Sequence, residues 1–120
     1  MDKIESREDY LEAILQLNNE GKNPISIDVV KKLGFSKPSV SIAMKKLRED
    51  NFVIIDDNGV IYLTPKGKEI AEKTLEKHEY LKALFMDAGL DEEKAEETAC
   101  GIEHHIDEET FLKLKNYLKK

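Results

Sequence analysis

Residues 26–65 read SIDVVKKLGFSKPSVSIAMKKLREDNFVIIDDNGVIYLTP, and this stretch determines the fold. It begins with two runs of apolar residues at helical spacing, and Gly34 between them favours a tight turn. Ser36 is suited to cap the second helix. The apolar positions of that helix fall on one stripe: Val40, Ala43, Met44 and Leu47. Two short helices joined by a glycine turn predict a helix-turn-helix.

The pattern then changes to β-branched and apolar runs at residues 52–55 and 60–63. Between them, Asn58-Gly59 predicts a hairpin whose turn needs positive φ at both central residues. A two-stranded wing directly after a helix-turn-helix is the arrangement of a winged-helix domain. Thr64-Pro65 then predicts the start of a long helix, because proline is well tolerated in the first helical turn.

The remaining sequence predicts three helices. The long helix reaches about residue 85 and carries His78 on its inward stripe, a second helix runs from Asp91 through His105, and Asp107 caps the last. An apolar stripe on the last helix is either a dimer surface or packing within the chain. The predicted fold is mainly α with a small β-hairpin wing: a winged helix-turn-helix at residues 1–72 and a helical domain at residues 73–120.

Length and composition narrow the class of protein. The chain has 120 residues, of which 40% are hydrophobic and 37% charged, as in a small folded protein without room for a large enzyme pocket. No apolar run approaches the roughly 18 residues of a membrane span, and the start lacks the pattern of a signal peptide. The single cysteine, Cys100, cannot form an internal disulfide. We therefore expect a cytoplasmic protein with no membrane partner.

Charge is distributed unevenly along the chain. The net charge is -6, yet residues 26–51 carry six basic and three acidic side chains, a local charge of +3. Residues 91–109 carry nine acidic side chains against one lysine, a local charge of -8. The basic stretch coincides with the predicted helix-turn-helix, where lysine and arginine could neutralise DNA phosphates. The simplest interpretation of the acidic stretch is a solvated surface.

Several side chains could ligate a metal ion. On a continuous helix Cys100, Glu103 and His104 would lie within one quadrant and could converge on one point. Each candidate has a simpler explanation when taken alone, such as a helix cap, a buried structural histidine or a core cysteine. Together they offer mixed oxygen, nitrogen and sulfur donors, which suit Mn, Fe, Co, Ni or Zn better than Mg or Ca. The six candidates are Asp9, Glu12, His78, Cys100, Glu103 and His104.

The sequence resembles the diphtheria toxin repressor and manganese transport regulator family of metal-dependent repressors over nearly its full length. The resemblance is carried by Glu8-Asp9-Tyr10-Leu11-Glu12, the recognition helix from Ser39-Val40 to Leu47, Leu63-Thr64-Pro65-Lys66-Gly67, Lys77-His78-Glu79 and Gly101-Ile102-Glu103-His104-His105. It implies metal ligands at Asp9, Glu12, His78, Glu103 and His104. It also implies a homodimer whose affinity for a DNA operator rises when metal binds.

Cys100 makes the metal site a hybrid of the two branches of that family. The manganese branch typically has a glutamate at this position, whereas the iron branch has the cysteine but a methionine where this chain has Asp9. A thiolate favours softer metals, so Fe(II) is expected ahead of Mn(II). Zn(II), Co(II) or Ni(II) could also bind in vitro.

The predicted function is therefore a metal-dependent DNA-binding transcriptional regulator, a homodimeric repressor of metal-uptake genes and not an enzyme. The candidate contacts to the double-stranded operator are Ser36, Lys37, Pro38, Ser39, Ser41, Ile42, Lys45, Lys46 and Lys66. One alternative is a winged-helix regulator that responds to a non-metal ligand. A remote alternative is a small metallohydrolase with Glu103 as base, although the sequence indicates no oxyanion device or substrate pocket.

Overall fold

The computed structural model describes residues 7–119, and the chain divides into two compact units, Met1–Glu72 and Lys73–Lys120. The start of the chain, from which we expected no signal peptide, lies outside the described residues. The elements are α1 (Arg7–Asn19), α2 (Ser26–Leu33), α3 (Lys37–Glu49), β1 (Val53–Ile55), β2 (Ile61–Leu63), α4 (Pro65–Asp87), α5 (Glu92–Ile102), a 3₁₀ turn (Glu103–His105) and α6 (Glu108–Leu118). The predicted fold class, mainly α with a hairpin wing, is confirmed. No helix within residues 7–119 is long and apolar enough to span a membrane.

Helix α1 forms the centre of the first unit. It packs against α2, α3 and β2, and both Leu11 and Ile14 are fully buried. Burial of a side chain of this size stabilises the folded state by about 1.5–3 kcal/mol. One helix therefore supports both the helix-turn-helix and the wing.

The two helices of the helix-turn-helix differ in how well the sequence predicted their buried faces. In α3, Val40, Met44 and Leu47 are buried as predicted, and the backbone N–H of Ser39 donates to the Ser36 hydroxyl at 3.2 Å, which confirms the cap. In α2 the apolar residues Ile27, Val30 and Leu33, whose spacing places them on one face, are half buried, and the fully buried residue is Val29. The helix is only eight residues long, and tertiary packing fixes its rotation.

The wing is an antiparallel pair with Val53 opposite Leu63, but its turn differs from the prediction. Gly59 has a φ of 82°, whereas Asn58 does not have a positive φ. The turn is held by Asp56, whose carboxylate accepts from the backbone N–H groups of Asn58 and Val60, both at 2.9 Å. The Asp56 side chain therefore favours a three-residue loop with Gly59 in the left-handed region.

The second unit is built from the later part of α4 with α5, the 3₁₀ turn and α6. Phe111 of α6 is fully buried and meets the Tyr80 ring edge-on, with centroids 5.6 Å apart. Asp91 and Asp107 cap α5 and α6 as predicted, accepting from backbone N–H groups at 2.8 and 2.7 Å. The predicted continuation of α5 through His105 is wrong, because α5 ends at Ile102 and tightens into the 3₁₀ turn.

Candidate functional site

His78 lies at the centre of a polar cluster in the second unit. Its side chain, on α4, is buried, and its Nδ1 lies 2.8 Å from Oε2 of Glu103. Its Nε2 lies 2.7 Å from Oε2 of Glu96 on α5. Glu103 is only 1% exposed, and its Oε1 lies 3.3 Å from Nε2 of His104. A buried imidazole thus has a carboxylate at each ring nitrogen, and a second imidazole adjoins the buried carboxylate.

Glu96 is the more accessible of the two carboxylates, with 49% of its side chain exposed. Its other oxygen, Oε1, lies 3.2 Å from Nζ of Lys82. Partial burial acts to raise the pKa of Glu96, but the hydrogen bond and charge of His78, together with Lys82, outweigh it and hold the pKa below its usual value. Glu96 is therefore ionised at neutral pH and can accept from both neighbours.

The 3₁₀ turn that carries Glu103 and His104 is tied to α4 by a buried lysine. Lys77 is 9% exposed, and its Nζ donates to the backbone carbonyl of Ile106 at 2.7 Å. A charged donor to a carbonyl is a strong hydrogen bond, and its ammonium would be costly to bury without an acceptor. The turn is held at Glu103 by His78 and just beyond its end by Lys77.

Within the second unit this donor set fits a transition metal only in part. Imidazole nitrogens and a carboxylate are suitable donors for Fe(II) or Mn(II). However, among residues 73–119 no three ligand atoms of His, Cys, Asp or Glu lie within 4.8 Å of one another. A metal held here would therefore require further ligands.

The predicted role of Cys100 was argued from a regular helix, whereas α5 ends at Ile102. The Cys100 side chain is half buried in the last turn of α5. The prediction that Cys100, Glu103 and His104 share one quadrant assumed a regular helix through all three. The 3₁₀ turn changes the angle per residue, so that argument does not hold.

Two predicted ligands lie in the first unit, on α1. Asp9 and Glu12 are three residues apart, and each is only 6% exposed. Carboxylates are rarely buried to this extent without a specific role, because loss of hydration disfavours the charged form. Their spacing places both on neighbouring positions of one helix face.

The outward face of α3 is the candidate nucleic-acid interface of the first unit. Ile42 is 70% exposed, and the neighbouring exposed residues of α3 are Lys37, Pro38, Ser41, Lys45 and Lys46. Two other candidates are already engaged within the unit. The Ser36 hydroxyl caps α3, and Lys66 has its Nζ 3.3 Å from the Asp50 carbonyl oxygen and 4.4 Å from the Phe52 ring centroid. Ser39 is half buried.

A winged-helix unit with an exposed basic recognition helix, followed by a helical unit with a buried carboxylate–imidazole cluster, defines a class: DNA-binding regulators with a metal-binding domain. The chain belongs to the iron-dependent repressor family. Residues 2–59 match the family's N-terminal DNA binding domain, and residues 64–120 match its metal binding and dimerisation domain. The resemblance found in the sequence is thereby confirmed, and the chain is a regulator of this family and not an enzyme.

Individual relatives agree with this assignment. The chain is 39% identical over 118 residues to an uncharacterized HTH-type transcriptional regulator of Methanocaldococcus jannaschii, covering 97% of this chain and 94% of the relative. It is 36% identical over 101 residues to the HTH-type transcriptional regulator MntR of Bacillus pumilus, covering 84% and 70%. The crystal structure of T. acidophilum IdeR superposes with a TM-score of 0.85 at 26% identity, over 99% of this chain. The chain spans 56% of that solved chain.

Sequence reasoning missed three residues of the cluster: Lys77, Lys82 and Glu96. Glu96 carried a weak signal, since it lies one helical turn before Cys100 on the same predicted helix. Lys77 and Lys82 flank His78 but resemble ordinary surface lysines in sequence. Their contacts join residues that are far apart in the chain, so the spacing alone did not reveal them.

Proposed function

We propose that this protein is a cytoplasmic, homodimeric repressor that binds a DNA operator when a divalent transition metal is bound. In this proposal residues 1–72 form the DNA-binding domain, and residues 73–120 form the dimerisation and metal-binding domain. The observation that carries it is the cluster of the buried His78 and Glu103 with the half-buried His104, which lies in the part of the chain that matches a metal-binding domain. Charged and polar side chains that only solvate the surface are normally exposed, so the burial of His78 and Glu103 indicates a specific role.

We further propose that the metal ligands are the six predicted from the sequence. Two come from α1, and four come from α4, α5 and the 3₁₀ turn: Asp9, Glu12, His78, Cys100, Glu103 and His104. Two observations support the contribution of α1. The second unit by itself is short of ligands, and α1 buries two carboxylates one helical turn apart. When bound, the metal supplies a positive centre that neutralises these carboxylates.

The proposed metal is Fe(II) or Mn(II). Carboxylates and imidazoles suit both, whereas a thiolate from Cys100 moves the preference toward Fe(II). Zn(II), Co(II) and Ni(II) are expected to bind in vitro, since affinity for a given site generally rises along the first transition series to Cu(II).

Regulation would follow from fixing the position of the recognition helices. In a homodimer the two α3 helices must lie about 34 Å apart to enter successive major grooves. Ligands supplied by both domains would hold the DNA-binding domain in place. Ordering this domain would then cost less free energy when the operator binds. The candidate residues for the groove are Ser39, Ser41, Ile42 and Lys45, of which Ile42 is suited to a thymine methyl group. The candidates for phosphate contacts are Lys37, Lys46 and Lys66.

The decisive experiment is anaerobic DNA binding with each divalent metal in turn and with chelator. We expect binding that requires metal and falls steeply with salt, because several lysines would displace counterions from the DNA. His104→Ala should abolish the metal response, whereas His105→Ala, the matched change at the exposed neighbour in the same turn, should preserve it. Equal operator binding in chelator and in Fe(II) would contradict the proposal and would favour a regulator that responds to another ligand.

A further inference from the structure

We propose that Glu96 is a positioning residue that holds His78 in the tautomer and orientation required of a metal ligand, and that Lys82 in turn holds Glu96. This inference rests on the proposed function, in which His78 is a ligand. The three side chains form a chain of contacts: Lys82 Nζ to Glu96 Oε1 at 3.2 Å, then Glu96 Oε2 to His78 Nε2 at 2.7 Å.

The assignment of the two ring nitrogens follows from what each one faces. Nδ1 of His78 faces Glu103, itself a proposed ligand, at 2.8 Å, whereas Nε2 faces Glu96. A metal-binding imidazole must be neutral, with one N–H and one lone pair. Nδ1 makes the hydrogen bond to Glu103, so Nδ1 is the nitrogen that a metal shared with Glu103 would take. With the metal bound there, the N–H of the neutral ring would be on Nε2, which lies 2.7 Å from Oε2 of Glu96.

Glu96 itself has the features of a supporting residue and not of a ligand. Half of its side chain is exposed, whereas the Glu103 side chain is fully buried. Both of its oxygens already have partners, one of them a lysine ammonium whose positive charge would oppose a metal ion at the same carboxylate. Within residues 7–119, Glu96 belongs to no set of three potential ligand atoms lying within 4.8 Å of one another.

Loss of Glu96 would weaken metal binding through its effect on the His78 ring. A carboxylate that accepts from the second nitrogen of a ligating histidine fixes the ring and increases its basicity. Loss of such a partner typically lowers metal affinity about 10–100-fold. Without Glu96, the His78 ring could adopt the other tautomer or rotate, and a fraction of the protein would be unable to bind.

The test uses the full chain, with Co(II) and Zn(II) as probes in chelator competition. We expect Glu96→Ala to weaken binding about 10–100-fold. Glu96→Gln should recover part of this loss, because its carbonyl oxygen can still accept from Nε2–H. Glu97→Ala, which removes the same charge from the next, exposed position of α5, should bind like the wild type. If circular dichroism shows that Glu96→Ala does not fold, the metal affinity of Glu96→Gln is compared with that of Glu97→Gln. A weaker affinity of Glu96→Gln would support the inference, and equal affinities would contradict it.

Nitrogen-15 NMR of the Zn(II) form shows which nitrogen of His78 carries the proton and which binds the metal. A purely structural role of Glu96 would not affect this pattern. We expect His78 to be protonated at Nε2 and metal-bound at Nδ1 in the wild type, with this pattern lost in Glu96→Ala. Metal bound at Nε2, or equal affinity of the Glu96→Ala and Glu97→Ala proteins, would overturn the inference. His78→Ala separates the two proposals: if it binds metal like the wild type, the ligand set itself is wrong. If it loses binding and Glu96→Ala does not, only the positioning role fails.

Discussion

Gly67, in the first turn of α4, lies directly against the main chain of Phe52 at the entry to the wing. A Cβ at position 67 would lie 2.1 Å from the Phe52 carbonyl oxygen and 3.0 Å from its carbonyl carbon. The backbone N–H of Thr64 donates to that same carbonyl at 3.1 Å. The start of α4 therefore closes onto the wing at a point where only a hydrogen atom fits.

Gly67→Ala is expected to destabilise the protein, although alanine normally favours a helix over glycine by about 1 kcal/mol. The atoms in the way belong to the backbone and cannot rotate aside, so the overpacking cost of about 1–3 kcal/mol or more prevails. Urea denaturation measures the difference. The control is Gly101→Ala in α5, where nothing lies within 4 Å and a gain of up to about 1 kcal/mol is expected. If the Gly67→Ala protein were as stable as the wild type, position 67 would have room for a Cβ beside the Phe52 carbonyl group.

The sequence predicted those parts of the fold that depend on local chemistry. Each helix cap, at Ser36, Asp91 and Asp107, depends on one side chain and the backbone N–H three residues later. The residue type alone therefore predicted these caps. The wing turn was predicted wrongly, because the side chain of Asp56 competes with the turn favoured by Asn58-Gly59. The full burial of Val29 in α2 was not predicted, because the neighbours of this short helix, and not its own pattern, decide which residues are most buried.

The candidate site was predictable in its residue types but not in its contacts. The sequence indicated that His78 points inward, and the structure confirms that it is buried. The carboxylate at each nitrogen of His78 depends on how α5 and the 3₁₀ turn pack on α4. Periodicity cannot specify this packing, because residues 78, 96 and 103 belong to different elements. The end of α5 at Ile102 was missed because the contacts of the following turn, from Glu103 to His78 and from Ile106 to Lys77, join residues far apart in the sequence.

The cap of α6 predicts an acid-dependent contribution to stability. The backbone N–H of Thr110 donates to Asp107 at 2.7 Å, and this hydrogen bond holds the pKa of Asp107 below its usual value. A group with a depressed pKa in the folded state stabilises it above its unfolded pKa, and this contribution is lost as pH falls through the folded value. Asp107→Ala should therefore lower the free energy of unfolding at pH 7, with a smaller difference from wild type in strong acid.

Asp107→Asn is the matched control for that measurement, because asparagine also caps helices but carries no charge. We expect it to be nearly as stable as the wild type and to lack the acid-dependent part of the contribution. Urea denaturation at a series of pH values gives both results. A constant difference between the wild type and Asp107→Ala at every pH would show that the charge of Asp107 contributes nothing.

Lys45 provides a test of the recognition helix that does not involve the metal. It is exposed on α3, on the face opposite the buried Val40, Met44 and Leu47. If the ammonium contacts a base, Lys45→Ala should weaken operator binding by about 1–3 kcal/mol. If it contacts a phosphate, the slope of the logarithm of the binding constant against the logarithm of the salt concentration should fall by about one. Fluorescence anisotropy at several salt concentrations measures both.

Metal affinity in the Lys45→Ala protein should equal that of the wild type. Lys94→Ala, an exposed lysine of α5 outside the predicted interface, controls for the loss of one positive charge and should leave operator binding nearly unchanged. A parallel loss of metal and DNA affinity in Lys45→Ala would place this residue elsewhere in the mechanism.

Cys100 is the residue on which the proposed metal preference depends, because it alone offers a soft, anionic sulfur. Cys100→Glu exchanges sulfur for oxygen at the same position, so we expect the preference to shift toward Mn(II). A second metal could then bind as well, since a carboxylate can bridge two ions. The measurements are affinities for Fe(II), Co(II), Zn(II) and Mn(II) under anaerobic conditions, together with the stoichiometry of Mn(II).

Cys100→Ser distinguishes a ligand from a half-buried structural cysteine, because it changes the volume little and removes the soft donor. If the thiolate binds metal, the wild-type Co(II) form should show a sulfur-to-cobalt charge-transfer band that the serine variant lacks. The order of metal affinities should also change. If neither changes, Cys100 is not a ligand, and the departure of the 3₁₀ turn from regular helix geometry explains why the helical spacing was misleading. The donor set would then consist of carboxylates and imidazoles, which would make Mn(II) the expected metal.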